Sequence, residues 1–74
     1  MTVAQVCGCK DDGESAVLGM VSNAEAEFFG VYLGQPGAFQ HHVDKDTRDL
    51  AIKEAEQLVA DGKASEIDDK TFDA

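Results

Sequence analysis

Two cysteines separated by one glycine, Cys7-Gly8-Cys9, and two adjacent histidines, His41-His42, are the side chains with the widest chemical repertoire in this chain. Together they offer the donor atoms of a soft metal site, and the thiols alone could cycle between dithiol and disulfide. The spacing favours neither. Cys-Gly-Cys lacks the two-residue gap of zinc knuckles, and neighbouring histidines on a strand point to opposite faces, so at most one could join the thiols. No helix N-terminus or cationic cluster stands beside the cysteines in sequence to lower a thiol pKa, Lys10 being alone there. Nucleophilic attack by Cys7 with His41 or His42 would also need an orienting third group and a cleft that a chain of 74 residues scarcely encloses. The expectation is a protein that is not an enzyme, with no cofactor and no metal, whose thiols pack as small apolar side chains. A metal or redox protein built on Cys7 and Cys9 ranks third among the readings of this chain.

Two further stretches resemble ligand loops and fail on inspection. Asp44-Lys45-Asp46-Thr47-Arg48-Asp49 begins like a calcium loop, but Arg48 stands at the third oxygen ligand, Asp49 replaces the required glycine, and Ala55 occupies the bidentate glutamate position. Helix capping accounts for these aspartates. Gly34 to Gly37 has neither the Walker lysine nor a helix after it, so it is no phosphate cradle.

The elements that position these residues follow from periodicity. Between Asp44 and Gly62 the apolar residues Ala51, Ile52, Ala55, Leu58 and Val59 recur at three- and four-residue steps, opposite Arg48, Asp49, Lys53, Glu54, Gln57 and Asp61. This is an amphipathic helix with Asp46 or Thr47 as N-cap and Gly62 placed for the left-handed C′ conformation. Upstream, Thr2 to Cys9 alternates, with Val3, Gln5, Cys7 and Cys9 on one side and Ala4, Val6 and Gly8 on the other. The segment Lys10 to Glu14 contains an Asp-Gly reversal, and Ser15 to Ser22 returns as the second strand. A helix from Asn23 to about Leu33 is one reading of the next stretch. A turn followed by a strand is preferred, because Gly30 is poor inside a helix and Phe28, Phe29, Val31 and Tyr32 suit a strand. Gly34-Gln35-Pro36-Gly37 reverses the chain into a fourth strand, Ala38 to Val43, with Phe39, His41 and Val43 on one face. After Gly62 only Ile67 and Phe72 serve as anchors for an edge strand or a frayed tail over residues 63–74. The predicted fold is α+β, a single small acidic domain over residues 1–74: a four-stranded antiparallel meander with one amphipathic helix packed on one face.

Charge supplies the functional signal. Fifteen Asp and Glu face six Lys and Arg, for a formal net charge of −9. The excess is spread over the chain, five acids against one base in residues 1–37 and ten against five in 38–74. Such a surface repels phosphate backbones and anionic membranes, and no apolar run approaches the ~20 residues that span a bilayer. The expected partner is a protein with a basic surface, approached through electrostatic steering. The start MTVAQVCGCK lacks signal-peptide character, which gives an expectation of cytoplasmic location. The carboxylates gather in groups: Asp11, Asp12 and Glu14 in the first turn, Glu25 and Glu27 before the third strand, and Glu66, Asp68, Asp69 and Asp73 at the end, with Asp68 and Asp69 the candidates in this last group. These, with Tyr32 as an aromatic anchor, are the candidate partner-binding residues.

In size and acidity, carried by those carboxylates from Asp11 to Asp73, the chain resembles the small phage-encoded inhibitors of the anti-CRISPR type. No motif is shared and no functional residue carries over. The resemblance implies a stoichiometric inhibitor in a bacterial or phage-infected cell, occupying the nucleic-acid site of a nucleic-acid-handling complex by mimicry. The alternative is a small accessory or structural domain that self-associates as a homodimer through an exposed strand, its acidity only solubilising.

Overall fold

Small and apolar residues alternate through Val3–Asp11 to make β1, and every other strand is placed by reference to it. The structure, a computed structural model, describes residues 2–11 and 17–73, with residues 17–19 described by their backbone alone. The remaining elements are β2 (Val17–Val21), β3 (Phe28–Gln35), β4 (Ala38–Lys45), α1 (Arg48–Ala60) and β5 (Glu66–Asp69). The architecture is the antiparallel four-strand sheet plus one helix that the sequence predicts, with strand order β2-β1-β3-β4. The two hairpins meet through β1 and β3, which pair from Val3↔Gly34 to Cys9↔Phe28. The other edge of β1 is shared: β2 runs antiparallel along Gly8 to Asp11, and β5 runs parallel along Val3 to Val6. A parallel partner needs a crossover connection, and α1 supplies it by carrying the chain from β4 back across the sheet.

Residues 23–27 form a turn, and β3 begins at Phe28, so the strand reading of this stretch holds. The helix is capped as expected. Thr47 is the N-cap, its hydroxyl accepting from the Leu50 N–H at 3.2 Å. At the other end Gly62 has φ 77°, and the N–H groups of Gly62 and Lys63 donate to the carbonyls of Val59 and Leu58 at 3.1 and 2.9 Å. That is a Schellman motif, satisfying carbonyls the helix cannot satisfy itself.

One face of the sheet packs on α1. Ala4, Val6, Phe29 and Val31 from the strands meet Ala51, Ala55 and Leu58 from the helix, with Ala26, Leu33, Val43, Ile52 and Val59 around them. Every residue of the expected helical stripe lies in this layer. The core is thin, for among the described residues the largest fully buried side chains are Val6, Val31 and Cys9.

Two expectations change. Val43 does not share a face with His41, because the β3–β4 register shifts between Val31 and Tyr32: Val43 stands opposite Val31 and His41 opposite Tyr32. The extra residue, His42, bulges, so His42 and Val43 both lie on the helix side, His42 against Glu54 at 3.2 Å. The C-terminal tail forms the edge strand, but Ile67 and Phe72 do not anchor it, remaining 36% and 46% exposed. Backbone bonds hold it instead, from Ser65 N–H to the Thr2 carbonyl, Lys70 N–H to Val6, and Asn23 N–H to Phe72, at 2.7, 2.8 and 2.8 Å.

A second bulge sits in β2, where Met20 has φ 61° and is half exposed. A left-handed conformation costs a non-glycine residue about 1–2 kcal/mol. Met20→Gly is therefore expected to raise the urea midpoint, by about 1 kcal/mol in stability, whereas Leu58→Ala should lower stability by about 2–5 kcal/mol. Equilibrium urea unfolding followed by circular dichroism measures both.

Candidate interaction face

Alternation along β1 sends Ala4 and Val6 to the helix, and Val3, Gln5, Cys7 and Cys9 to the opposite face, where no element of the described residues packs as a second layer. Register places the neighbours on that open face: Tyr32 beside Gln5, Gly30 beside Cys7, Phe28 beside Cys9, and from β4 His41 beside Tyr32 and Asp44 beside Gly30. Gly30 sets the geometry. A Cβ there would lie 2.8 Å from Tyr32 Cε1, 3.3 Å from Cys9 Sγ and 3.4 Å from Asp44 Oδ1. The missing side chain lets the Tyr32 ring and the Cys9 thiol close over the backbone, with the Asp44 carboxylate beside them. Tyr32 meets His41 edge to face, with centroids 5.4 Å apart, and His41 Nε2 donates to Asp44 Oδ1 at 2.8 Å. A cavity of about 330 Å³ opens between Phe28, Tyr32, His41 and Asp44.

The thiols are buried, with their sulfurs 3.7 Å apart. Burial, with the neighbouring Cys9 adding to it, pushes Cys7 up from 9.0 to about 11. At neutral pH Cys7 is a thiol rather than a nucleophilic thiolate. Burial likewise lifts Tyr32 to about 12, with the Cys9 thiol contributing, so its hydroxyl stays protonated. Among the described residues no three His, Cys, Asp or Glu side chains converge as metal ligands.

The candidate carboxylates divide between two places. At the end of β1, Asp11, Glu25 and Glu27 come together: Asp11 N–H donates to Glu27 Oε1 at 2.8 Å, and Glu25 pairs with Lys10 at 3.5 Å. Asp12 and Glu14, expected to join them, lie outside the described residues. On β5, Asp68 and Asp69 are successive and point to opposite faces. Asp68 accepts from Gln5 Nε2 at 3.3 Å and lies 3.5 Å from Lys70 Nζ, on the open side. Asp69 turns the other way, accepting from Arg48 and from the Thr71 hydroxyl and N–H. Burial acts to raise Asp69, but these hydrogen bonds outweigh it and hold the carboxyl below its usual range.

Register therefore collects Asp11, Asp44, Glu66 and Asp68 on the open face, where Lys70 is the basic side chain placed by an ion pair. Lys45 and Arg48 are engaged elsewhere, by Glu54 at 3.7 Å and by Asp69. The sequence offers Tyr32 as an aromatic anchor without assigning it a face, and does not mark Asp44, His41 and Phe28 as its partners. Asp44 read as the approach to a helix, and only the bulge brings it over Gly30. No family model, no curated protein and no solved structure matches this chain. The reading of the face rests on its own chemistry.

Asp69 generates a pH prediction. A carboxyl with a depressed folded pKa contributes stability above its unfolded value, near 4, and loses it as pH falls through the folded value. Asp69→Asn should be less stable than the parent at pH 7, and the difference should shrink steadily below about pH 4. Thermal unfolding at stepped pH measures it, and a constant difference down to pH 2 would contradict the assignment.

Proposed function

We propose that this is a non-enzymatic interaction protein that binds a basic, nucleic-acid-handling partner through the open face of its sheet, as the anti-CRISPR-type resemblance implies. The observation that carries the reading is the sorting of groups by the fold. Tyr32, Phe28 and His41 stand on the open face with Asp11, Asp44, Glu66 and Asp68, the last paired with Lys70, while Lys45 and Arg48 are tied to carboxylates away from it. Carboxylates around an aromatic centre complement a groove rich in Lys and Arg, and aromatic anchors are enriched among the residues that dominate binding energy. The net charge of −9 steers the encounter. Such a face would occupy the surface the partner uses for phosphates, which is inhibition by mimicry in a bacterial or phage-infected cytoplasm. The raised pKa of Cys7 adds no nucleophile to this face.

A second reading draws on the far edge of the sheet. The outer edge of β4 has no strand beside it among the described residues, and two such edges could pair in a homodimer. Sedimentation at rising concentration distinguishes it, since edge pairing persists when open-face carboxylates are reversed.

The test of the first reading is capture from bacterial lysate on the immobilised protein, followed by challenge with duplex DNA and with RNA. Release of a nucleic-acid-binding complex by excess nucleic acid, and by rising salt, is the expected result. A complex that stays bound while it also binds nucleic acid would show that the two sites differ and would contradict mimicry.

A further inference from the structure

We propose that the cavity between Phe28, Tyr32, His41 and Asp44 receives an arginine side chain of the partner. This rests on the basic-partner reading above and specifies its central contact. The walls suit a guanidinium. Two aromatic rings attract a cation through their quadrupoles, and a carboxylate beside them supplies charge and acceptors. Asp44 is half exposed and has one oxygen engaged, by His41 Nε2, whereas an ionised carboxylate has about four lone-pair sites. Acceptor capacity therefore remains for a second donor.

The cavity is held by specific contacts. Gly30 lies beside it, and the Tyr32 ring approaches that glycine more closely than a side chain at 30 would allow, with Asp44 at ordinary contact distance. His41 is fixed from both sides, by its edge contact with Tyr32 and its bond to Asp44. A volume of about 330 Å³ exceeds that of one side chain, leaving room for a guanidinium together with bridging water. The charge of the ligand follows from the surroundings, because the chain is strongly acidic and Asp44 is the charged group in the wall. Arginine is chosen over lysine for its shape. A guanidinium is planar, stacks on rings, is more weakly hydrated than an ammonium, and donates as a fork to a carboxylate.

The experiment uses the 15N-labelled full chain titrated separately with N-acetyl-arginine methylamide, its citrulline counterpart and its lysine counterpart. Saturable shifts centred on the amides of Gly30, Tyr32 and His41 are expected with arginine, absent with citrulline and weaker with lysine. Asp44→Asn should reduce the arginine affinity roughly tenfold or more, the loss of one charge-assisted contact. Tyr32→Leu should also lose it and Tyr32→Phe should keep it, each variant being checked for parental amide dispersion. Equal shifts with citrulline or lysine would overturn the proposal, as would full arginine binding by folded Asp44→Asn. The two levels separate cleanly. If Asp44→Asn still captures a basic complex with unchanged affinity, the pocket is overturned and the acidic-face reading stands. Specific arginine binding by a protein that captures no basic complex supports the pocket while removing that reading.

Discussion

The hydrogen-bonding of β1 on both edges is the constraint from which the rest of this structure follows. Nine residues carry three partners: β3 along one side, β2 and β5 sharing the other. A strand enclosed in this way cannot slip by one residue without exchanging its two faces. Ala4 and Val6 must meet the helix, and Gln5, Cys7 and Cys9 must face away. The small size of Ala4, Ala51 and Ala55 lets α1 sit close to the sheet, and little bulk is left to stabilise it. In so small a domain the caps of the helix and the backbone bonds of the tail therefore matter disproportionately.

The open face inherits its chemistry from the same register. Cys7 and Cys9 are on it by alternation, both are buried, and burial raises the pKa of Cys7. Around them the β3–β4 hairpin contributes Tyr32, His41 and Asp44, brought into contact by one glycine and one bulge. Asp68 arrives from the other end of the chain because β5 must lie beside β1 to end the crossover. Residues distant in sequence thus come to share one face of the sheet.

The legible parts of the sequence were those governed by period and by terminal residues. The helix stripe, Thr47 and Gly62 at its ends, and the alternation of β1 could be read because each depends on neighbours within a few positions. The β4 faces could not, since a bulge inserts one residue with no marker of its own, and His42 and Val43 carry nothing that announces it. The tail is illegible for another reason. Ile67 and Phe72 suggested apolar anchorage, whereas backbone bonding to Thr2, Val6 and Asn23 holds it, and that depends on which edge of β1 is vacant. The carboxylates show the same limit: Asp68 and Asp69 are adjacent in sequence, yet one belongs to the open face and the other to Arg48.

Binding through one face differs from attraction by total charge, and two double variants of equal net charge separate these. Asp44→Lys with Asp68→Lys alters the open face, while Glu56→Lys with Asp61→Lys makes the same change of four charges on and beside the helix. The measurement is the affinity of each for the captured basic complex at fixed salt, with both variants shown to be folded. With a face-specific interaction the first variant loses binding, and the second is slowed in association but retains it. Equal losses in the two would contradict a face-specific interaction and leave only diffuse charge.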